Sequence, residues 1–491
     1  MPLIFTYRKG LFFSSLFFLG YLLLAWKFNS DLLIALASCC MVLCAIVIFH
    51  FKLEQPLYAL LLGTLMLSLE IPLLGSSRIS LPDEILIVLL SAVAFIHLLW
   101  NEQFLKSLLS LSLGKVIFLH ACVFLMSSIF SNMLVVSLKF SLINIIYMTG
   151  GIVITLLLLQ REKISLQRIL HLFSIPLLII ACYTIIHFAP HRFSSQAAIE
   201  MAQPFFKDHT LLSACLSMFI PLYALYPVIY KDSSRFFKSS AIGIALLLVF
   251  IVMISSSRAA WLSLAMTALF FVFIQLKIGF KSFLLLIVSG ITLSYFFSVP
   301  ILEKLNSNSN SSSSEYASLS EQVLSSSNIH NDVSNLERLN RWKCAIRMAQ
   351  DKPFLGFGPG TYQFEYLPYQ LERDKTAISV DNPFNTKQGY GGSAHSEYFL
   401  VLSEMGLMGL SSWLLVIFFT FKSYFDIKTN PRSDRQKRLI ADAIILAIIT
   451  FLTHSFFNNF LNTAKTAIPF WILMGYLIHL NLKLKYLEKS N

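Results

Sequence analysis

The sequence predicts an all-α polytopic membrane protein, with about 12–14 transmembrane helices and one large extracytoplasmic loop containing short helices. Three observations predict it. Of the 491 residues, 56% are hydrophobic and only 13% charged, and the mean hydropathy is +0.69, far from the balance of a soluble domain. Apolar runs of about 17–25 residues, enough to carry a helix across roughly 30 Å of hydrocarbon, recur almost from end to end. The third is the uneven distribution of Lys and Arg among the connections, which orients such a chain.

The apolar runs lie at 11–27, 31–51, 56–74, 83–100, 115–133, 139–159, 167–189, 209–230, 238–256, 259–276, 281–299, 395–421, 438–457 and 463–484. The first follows Arg8-Lys9 as a signal peptide would, yet no small-residue cleavage site follows and another run begins at once, so it reads as a helix. With the N-terminus cytoplasmic, the inner connections hold twenty-two Lys and Arg, against seven in the short outer ones. Both termini are therefore expected inside and the long 300–394 segment outside. The net charge of +12 follows from this pattern. The basic residues form no single stripe, so no nucleic-acid partner is expected.

Six of the seven cysteines lie in apolar runs and Cys344 stands alone in the outer loop, so no disulfide framework is expected. The first six helices carry little chemistry. Glu70 reads as an interfacial acid or, alternatively, as a buried acid in a transport path. His50, His97, His120, His171 and His187 read as structural histidines, and no pair has metal-ligand spacing.

From residue 190 onward the outer segments carry more chemistry. In Pro204-Phe205-Phe206-Lys207-Asp208-His209-Thr210, Asp208 stands where a helix needs an N-cap. In Ser255-Ser256-Ser257-Arg258-Ala259-Ala260-Trp261, a tight outer turn carries Arg258 between two apolar runs. An arginine there must be paired or face a watery cavity, and its fork of donors suits a phosphate.

The outer loop opens on a Ser/Asn-rich flexible insert. Residues 336–349 then show helical periodicity, with Leu339, Trp342, Ile346 and Ala349 on one face, while Arg338, Arg341 and Arg347 form a solvated face or, alternatively, offer anion contacts. Gly356, Gly358 and Gly360 mark a rigid turn, and 389–393 a flexible lead into Ala394-His395-Ser396-Glu397-Tyr398. There a membrane helix is expected to begin with His395 on its first turn, where the positive end of the helix dipole keeps the imidazole neutral. Glu404 lies nine residues on, about two and a half turns, and so on the opposite face. Gly406 and Gly409 are expected to permit close helix packing.

These pieces, in this order, resemble the O-antigen ligase and O-antigen polymerase superfamily of membrane lipid-linked glycan transferases. The carrying residues are Pro204 to Thr210, Ser256-Ser257-Arg258-Ala259-Ala260-Trp261-Leu262, Trp342 with Lys352-Pro353-Phe354-Leu355-Gly356-Phe357-Gly358-Pro359-Gly360-Thr361-Tyr362, and His395 through Gly409. The resemblance implies a metal-independent, inverting glycosyltransferase with no cofactor. It would move a glycan from an undecaprenyl-diphosphate carrier to an acceptor hydroxyl, such as lipid A-core, at the periplasmic face of the bacterial cytoplasmic (inner) membrane. It implies His395 as general base and Arg258 on the diphosphate, with Arg192 the nearest candidate for a further family arginine. Asp208, His209 and Glu404 are possible site-shaping residues.

The expected layout is 1–190, N-terminal transmembrane helices; 191–299, transmembrane helices of the ligase-like core; 300–394, periplasmic loop with a flexible 306–330 insert; and 395–491, C-terminal transmembrane helices. A repeat-unit polymerase for O-antigen or exopolysaccharide would use the same residues on a glycan acceptor. From a different class, a lipid or solute transporter would use Arg258 and Glu70 as a polar path.

Overall fold

The computed structural model describes residues 32–72, 78–194, 197–289 and 333–489. Helix α1 (Leu32–Phe51) is followed by α2 (Glu54–Thr64), and Leu43–Phe51 and Glu54–Leu67 are bent by 113° to each other. A short antiparallel hairpin, β1 (Leu69–Pro72) with β2 (Arg78–Leu81), pairs Glu70 with Ser80. Then come α3 (Asp83–Trp100), α4 (Glu102–Leu109), α5 (Ser112–Ile129), α6 (Leu134–Gln160, with a π turn at Gly150–Ile154) and α7 (Leu166–Phe188). They are followed by α8 (His209–Ile229), α9 (Arg235–Ile254), α10 (Arg258–Gln275), α11 (Val333–Asp351), α12 (Glu397–Thr429), α13 (Arg435–His454) and α14 (Ala464–Lys489).

Among the described residues nine helices are long and apolar enough to cross a membrane, or ten if the bent α1–α2 pair is one span. The chain is a multi-pass, all-α membrane protein. Of the fourteen expected runs, 11–27 lies outside the described residues, and 281–299 is described only as the helix Phe280–Ser289. The 56–74 run departs from expectation: its second half leaves the helix and forms the hairpin, with Glu70 exposed on β1.

Helix α13 packs against α8, α10, α12 and α14 and is buried throughout 440–452. Ala441, Ala443 and Ala447 keep its surface shallow enough for such close neighbours. Its buried Asp442 is satisfied by Tyr424 Oη (2.9 Å) and Lys428 Nζ (2.8 Å).

Two contacts show which helix ends share a level. Ser213 Oγ, on the first turn of α8, donates to Ser255 Oγ just before α10 (2.7 Å). The Glu397 amide, opening α12, donates to the Ser455 carbonyl just after α13 (2.8 Å). The starts of α8, α10 and α12 and the finish of α13 therefore gather at one end of the bundle, called here the loop end. The buried Lys465 ammonium, near the start of α14, donates to the carbonyls of Ser68 (2.8 Å) and Phe205, pinning three segments together.

The described part of the long loop is folded. Cys344, Ala345, Met348, Phe357, Tyr362 and Tyr366 form a small core with Ala394 and Leu400. It is also laced into α12, which is interrupted at Gly406 (φ 63°, ψ −161°). The break frees backbone groups that the loop takes up. Phe357 and Gly358 amides donate to the Ser403 and Glu404 carbonyls (3.2 and 2.7 Å), and Leu407 and Met408 amides donate to Pro353 and Phe354 carbonyls (2.7 and 3.1 Å). A side chain at Gly406 would strike the Phe354 carbonyl, and its left-handed φ favours glycine besides. The expected role of Gly406 in helix packing is thus corrected: it breaks the helix to receive the loop.

Candidate active site at the loop end

His395 does not sit on the first turn of α12, as the sequence reading expected. It lies one residue outside the cap: the helix begins at Glu397, Ser396 is the N-cap, and His395 adopts φ 51°. That left-handed backbone cannot continue a helix. Its conformation is held from several sides. The His395 amide donates to Ser393 Oγ (3.3 Å), Ser393 Oγ donates to Asn459 Oδ1 (2.6 Å), and Trp342 Nε1 donates to the His395 carbonyl (3.4 Å). Trp342 in turn stacks on Phe399 at 5.0 Å and 22°.

The lead-in at 389–393, expected to be flexible, is clamped. Arg341 Nη1 donates to the carbonyls of Gly391 (2.5 Å) and Ser393 (3.3 Å), its Nε pairs with Glu337 (2.8 Å), and its guanidinium covers the Tyr366 ring at 4.6 Å. Glu337 is satisfied in turn by Ser379, Thr376 and Asn340. The expected faces of α11 are therefore corrected. Its buried side is Glu337, Asn340, Arg341, Cys344, Ala345 and Met348, while Ile346 is 40% exposed. Arg347, expected in solvent, pairs with Asp374 (2.6 Å).

Burial, with the charges of Arg341 and Arg338, pulls the His395 imidazole down to about 4 against the opposing pull of Glu337 and Asp208. It is neutral at pH 7, with one ring nitrogen open to a proton. A chemical step that uses it as base should therefore keep its kcat/KM into acid, with the falling limb well below the ordinary histidine value of about 6.5. Arg338→Gln removes a charge that lowers this value and should move the limb up. Asp208→Asn, which keeps a good cap, removes a charge that raises it and should move the limb down. A pH profile of the two variants in vesicles checks both signs; a common, unmoved limb contradicts the assignment.

Asp208 caps α8, accepting from the amides of Thr210 and Leu211 (both 2.9 Å). His209 opens that helix and feels the charges of Asp208 and Arg338. Arg258 opens α10, half-buried, at the same end. Arg192 is exposed on a left-handed turn after α7, and among the described residues no hydrogen bond or ion pair joins it to His395. Glu404 is buried about two turns into α12 and does not reach His395. It accepts the amides of Gly360 (2.8 Å) and Tyr362 (3.0 Å), holding the glycine turn against the helix break.

Two residues join this group that the expected site set did not include. Arg338, read as solvated or as an anion contact, acts on His395, His209 and His454. His454, 1% exposed at the finish of α13, also feels Asp208 and His209. The signal for His454 was present: like His395, it stands where an apolar run meets an outer connection. Among the described residues no three His, Cys, Asp or Glu side chains gather as a metal site would need.

The arrangement defines a class: a multi-pass membrane protein whose loop end carries a neutral histidine among arginines, under a folded loop. The comparison with protein families is more particular. The family model described as O-Antigen ligase matches residues 243–414, the stretch that contains Arg258, Arg338, His395 and Glu404. Over that stretch the chain is similar to the O-antigen ligase and polymerase superfamily, a group of glycosyltransferase-like enzymes acting on lipid-linked glycans. No curated protein matches the chain.

Proposed function

We propose that the chain is an O-antigen ligase-type glycosyltransferase. It moves a glycan from an undecaprenyl-diphosphate carrier to a hydroxyl of lipid A-core, at the periplasmic face of the cytoplasmic membrane, without a metal and with inversion. One observation carries the reading: within the matched stretch, His395 is held at φ 51° just outside the cap of α12, its amide and carbonyl fixed by Ser393 and Trp342, and the charges of Arg338 and Asp208 act on its ring. Helices α8, α10, α12 and α13 frame the site, and the described part of the loop, 333–394, packs beside it through Trp342.

Inversion follows from a single displacement. The acceptor oxygen bonds to the anomeric carbon while His395 takes its proton, and the bond from that carbon to the diphosphate breaks on the opposite face. Undecaprenyl diphosphate leaves with the electron pair. Arg258 and Arg338 stabilise its growing charge, with Arg192 as a further cation available at the same end, and such preorganised charge counts for most where water is scarce. The imidazolium then returns its proton to water.

A transporter path loses its acid, because Glu70 is exposed on β1. Deleting the gene and examining the envelope glycans tests the reading. Loss of long chains from lipid A-core, with carrier-linked polymer still made, is the expected result. Lipid A-core capped by single repeats would instead mean a polymerase of the same superfamily, and unchanged glycans would contradict both.

A further inference from the structure

Among the described residues, five of the side chains that carry buried polar atoms with no hydrogen-bond partner stand on helix ends that meet at the loop end. They are His209 Nδ1, Ser257 Oγ, Ser396 Oγ, both ring nitrogens of His454, and Asn458 Nδ2. Buried polar groups are ordinarily satisfied, and one left without a partner is costly. Others of the kind lie elsewhere in the fold, Ser217, Trp413 and Ser433 among them, but these five share one end of the bundle. They stand on the first residue of α8, the caps of α10 and α12, the last residue of α13 and the segment after it. Contacts between their neighbours tie together the segments that carry them. Ser213, on the helix that His209 opens, donates to Ser255, two residues before Ser257 (2.7 Å), the Ser455 carbonyl next to His454 holds the Glu397 amide beside Ser396 (2.8 Å), and Asn459, next to Asn458, accepts from Ser393 (2.6 Å).

We propose that His209, Ser257, Ser396, His454 and Asn458 form a carbohydrate subsite that holds the sugar bonded directly to the donor's diphosphate. The proposal rests on the transferase reading and deepens it by assigning the residues that select the donor sugar. The chemistry of the set chooses the ligand. Hydroxyls and imidazoles both donate and accept, and the amide adds a donor; sugar hydroxyls also do both. Phosphate oxygens only accept, and suit Arg258 and Arg338 instead.

Aromatic rings stand next to the segment of His454 and Asn458, and an exposed ring suits the C–H side of a pyranose. Trp342 has Phe456 at 5.3 Å and Phe457 at 6.5 Å, Phe456 is 40% exposed, and His454 itself lies 5.5 Å from Phe460. Ser257 directly precedes Arg258, so the polar set adjoins the cation proposed for the diphosphate, in the order that a sugar diphosphate demands.

The test uses the full-length protein in nanodiscs. The probes are undecaprenyl diphosphate alone and a panel of undecaprenyl-diphosphate monosaccharides carrying glucose, galactose, N-acetylglucosamine or N-acetylgalactosamine. The native protein should bind one sugar-bearing probe more tightly than undecaprenyl diphosphate. His454→Ala should weaken that probe by about ten-fold, which is about 1.4 kcal/mol, and leave undecaprenyl diphosphate unchanged. Asn458→Ala should repeat the pattern more weakly, and Arg258→Gln should weaken both probes alike.

Equal weakening of both probes by His454→Ala, or of neither, overturns the subsite. So does a native protein that binds undecaprenyl diphosphate but prefers no sugar, and so does a His454→Leu variant that is more stable with unaltered binding. A native protein that binds no undecaprenyl diphosphate overturns the transferase reading, and the subsite with it.

Discussion

Replacing His395 with Asn is expected to slow transfer by about 10²–10⁴-fold, the usual contribution of a general base, while the protein still inserts and folds. Asn is the better choice than Ala because His395 holds φ 51°, a backbone that Asn tolerates well and that costs a residue such as Ala about 1–2 kcal/mol. The contacts that fix the backbone survive the change, since Trp342 and Ser393 meet the carbonyl and amide of residue 395. Binding of the lipid-linked donor should also survive. The measurement is transfer rate against thermal midpoint in the same preparation. Full activity in His395→Asn would remove the proposed base.

The second large effect is expected at Arg341. Arg341→Ala should lower stability by about 3–5 kcal/mol, the range for breaking one side of a buried ion pair, and should abolish transfer with it. Glu337 would be left buried and charged, with Ser379, Thr376 and Asn340 still aimed at it. The Gly391 and Ser393 carbonyls would lose their donor, and with them the strap that sets His395. Arg341→Lys should rescue poorly, because an ammonium cannot reproduce the fork that serves Glu337 and two carbonyls while covering Tyr366. Thermal unfolding and protease cleavage within 385–395 measure both effects. An unchanged midpoint in Arg341→Ala would show that the clamp contributes little.

The long helices are readable from sequence because apolar length is itself the physical requirement for crossing a bilayer. The separation of Glu404 from His395 is expected from nine residues of helix, yet His395 stands outside the helix, which begins at Glu397. Glu404 is held away by the Gly360 and Tyr362 amides instead. What sequence hides is whatever depends on distant partners. The break at Gly406 makes sense only beside the 353–358 backbone that fills it, and nothing local to that glycine names its partner.

Helix α11 misleads for a different reason. Periodicity finds the apolar stripe, yet the side that is buried is partly ionic, held by Glu337, Asn340 and Arg341. For Arg338, periodicity leaves a solvated face and an anion contact both open, and only the fold brings it to His395. His454 escapes notice because it closes an apolar run, where a histidine reads as structural until its neighbours are known.

The account's central claim is glycan transfer, and reconstitution tests it most directly. The full-length protein would be placed in liposomes with its native undecaprenyl-diphosphate-linked glycan and lipid A-core, in the presence of EDTA. Formation of glycan-bearing lipid A-core together with released undecaprenyl diphosphate, lost in His395→Asn, is the predicted result. Movement of intact donor across the bilayer with no new glycosidic bond would contradict it.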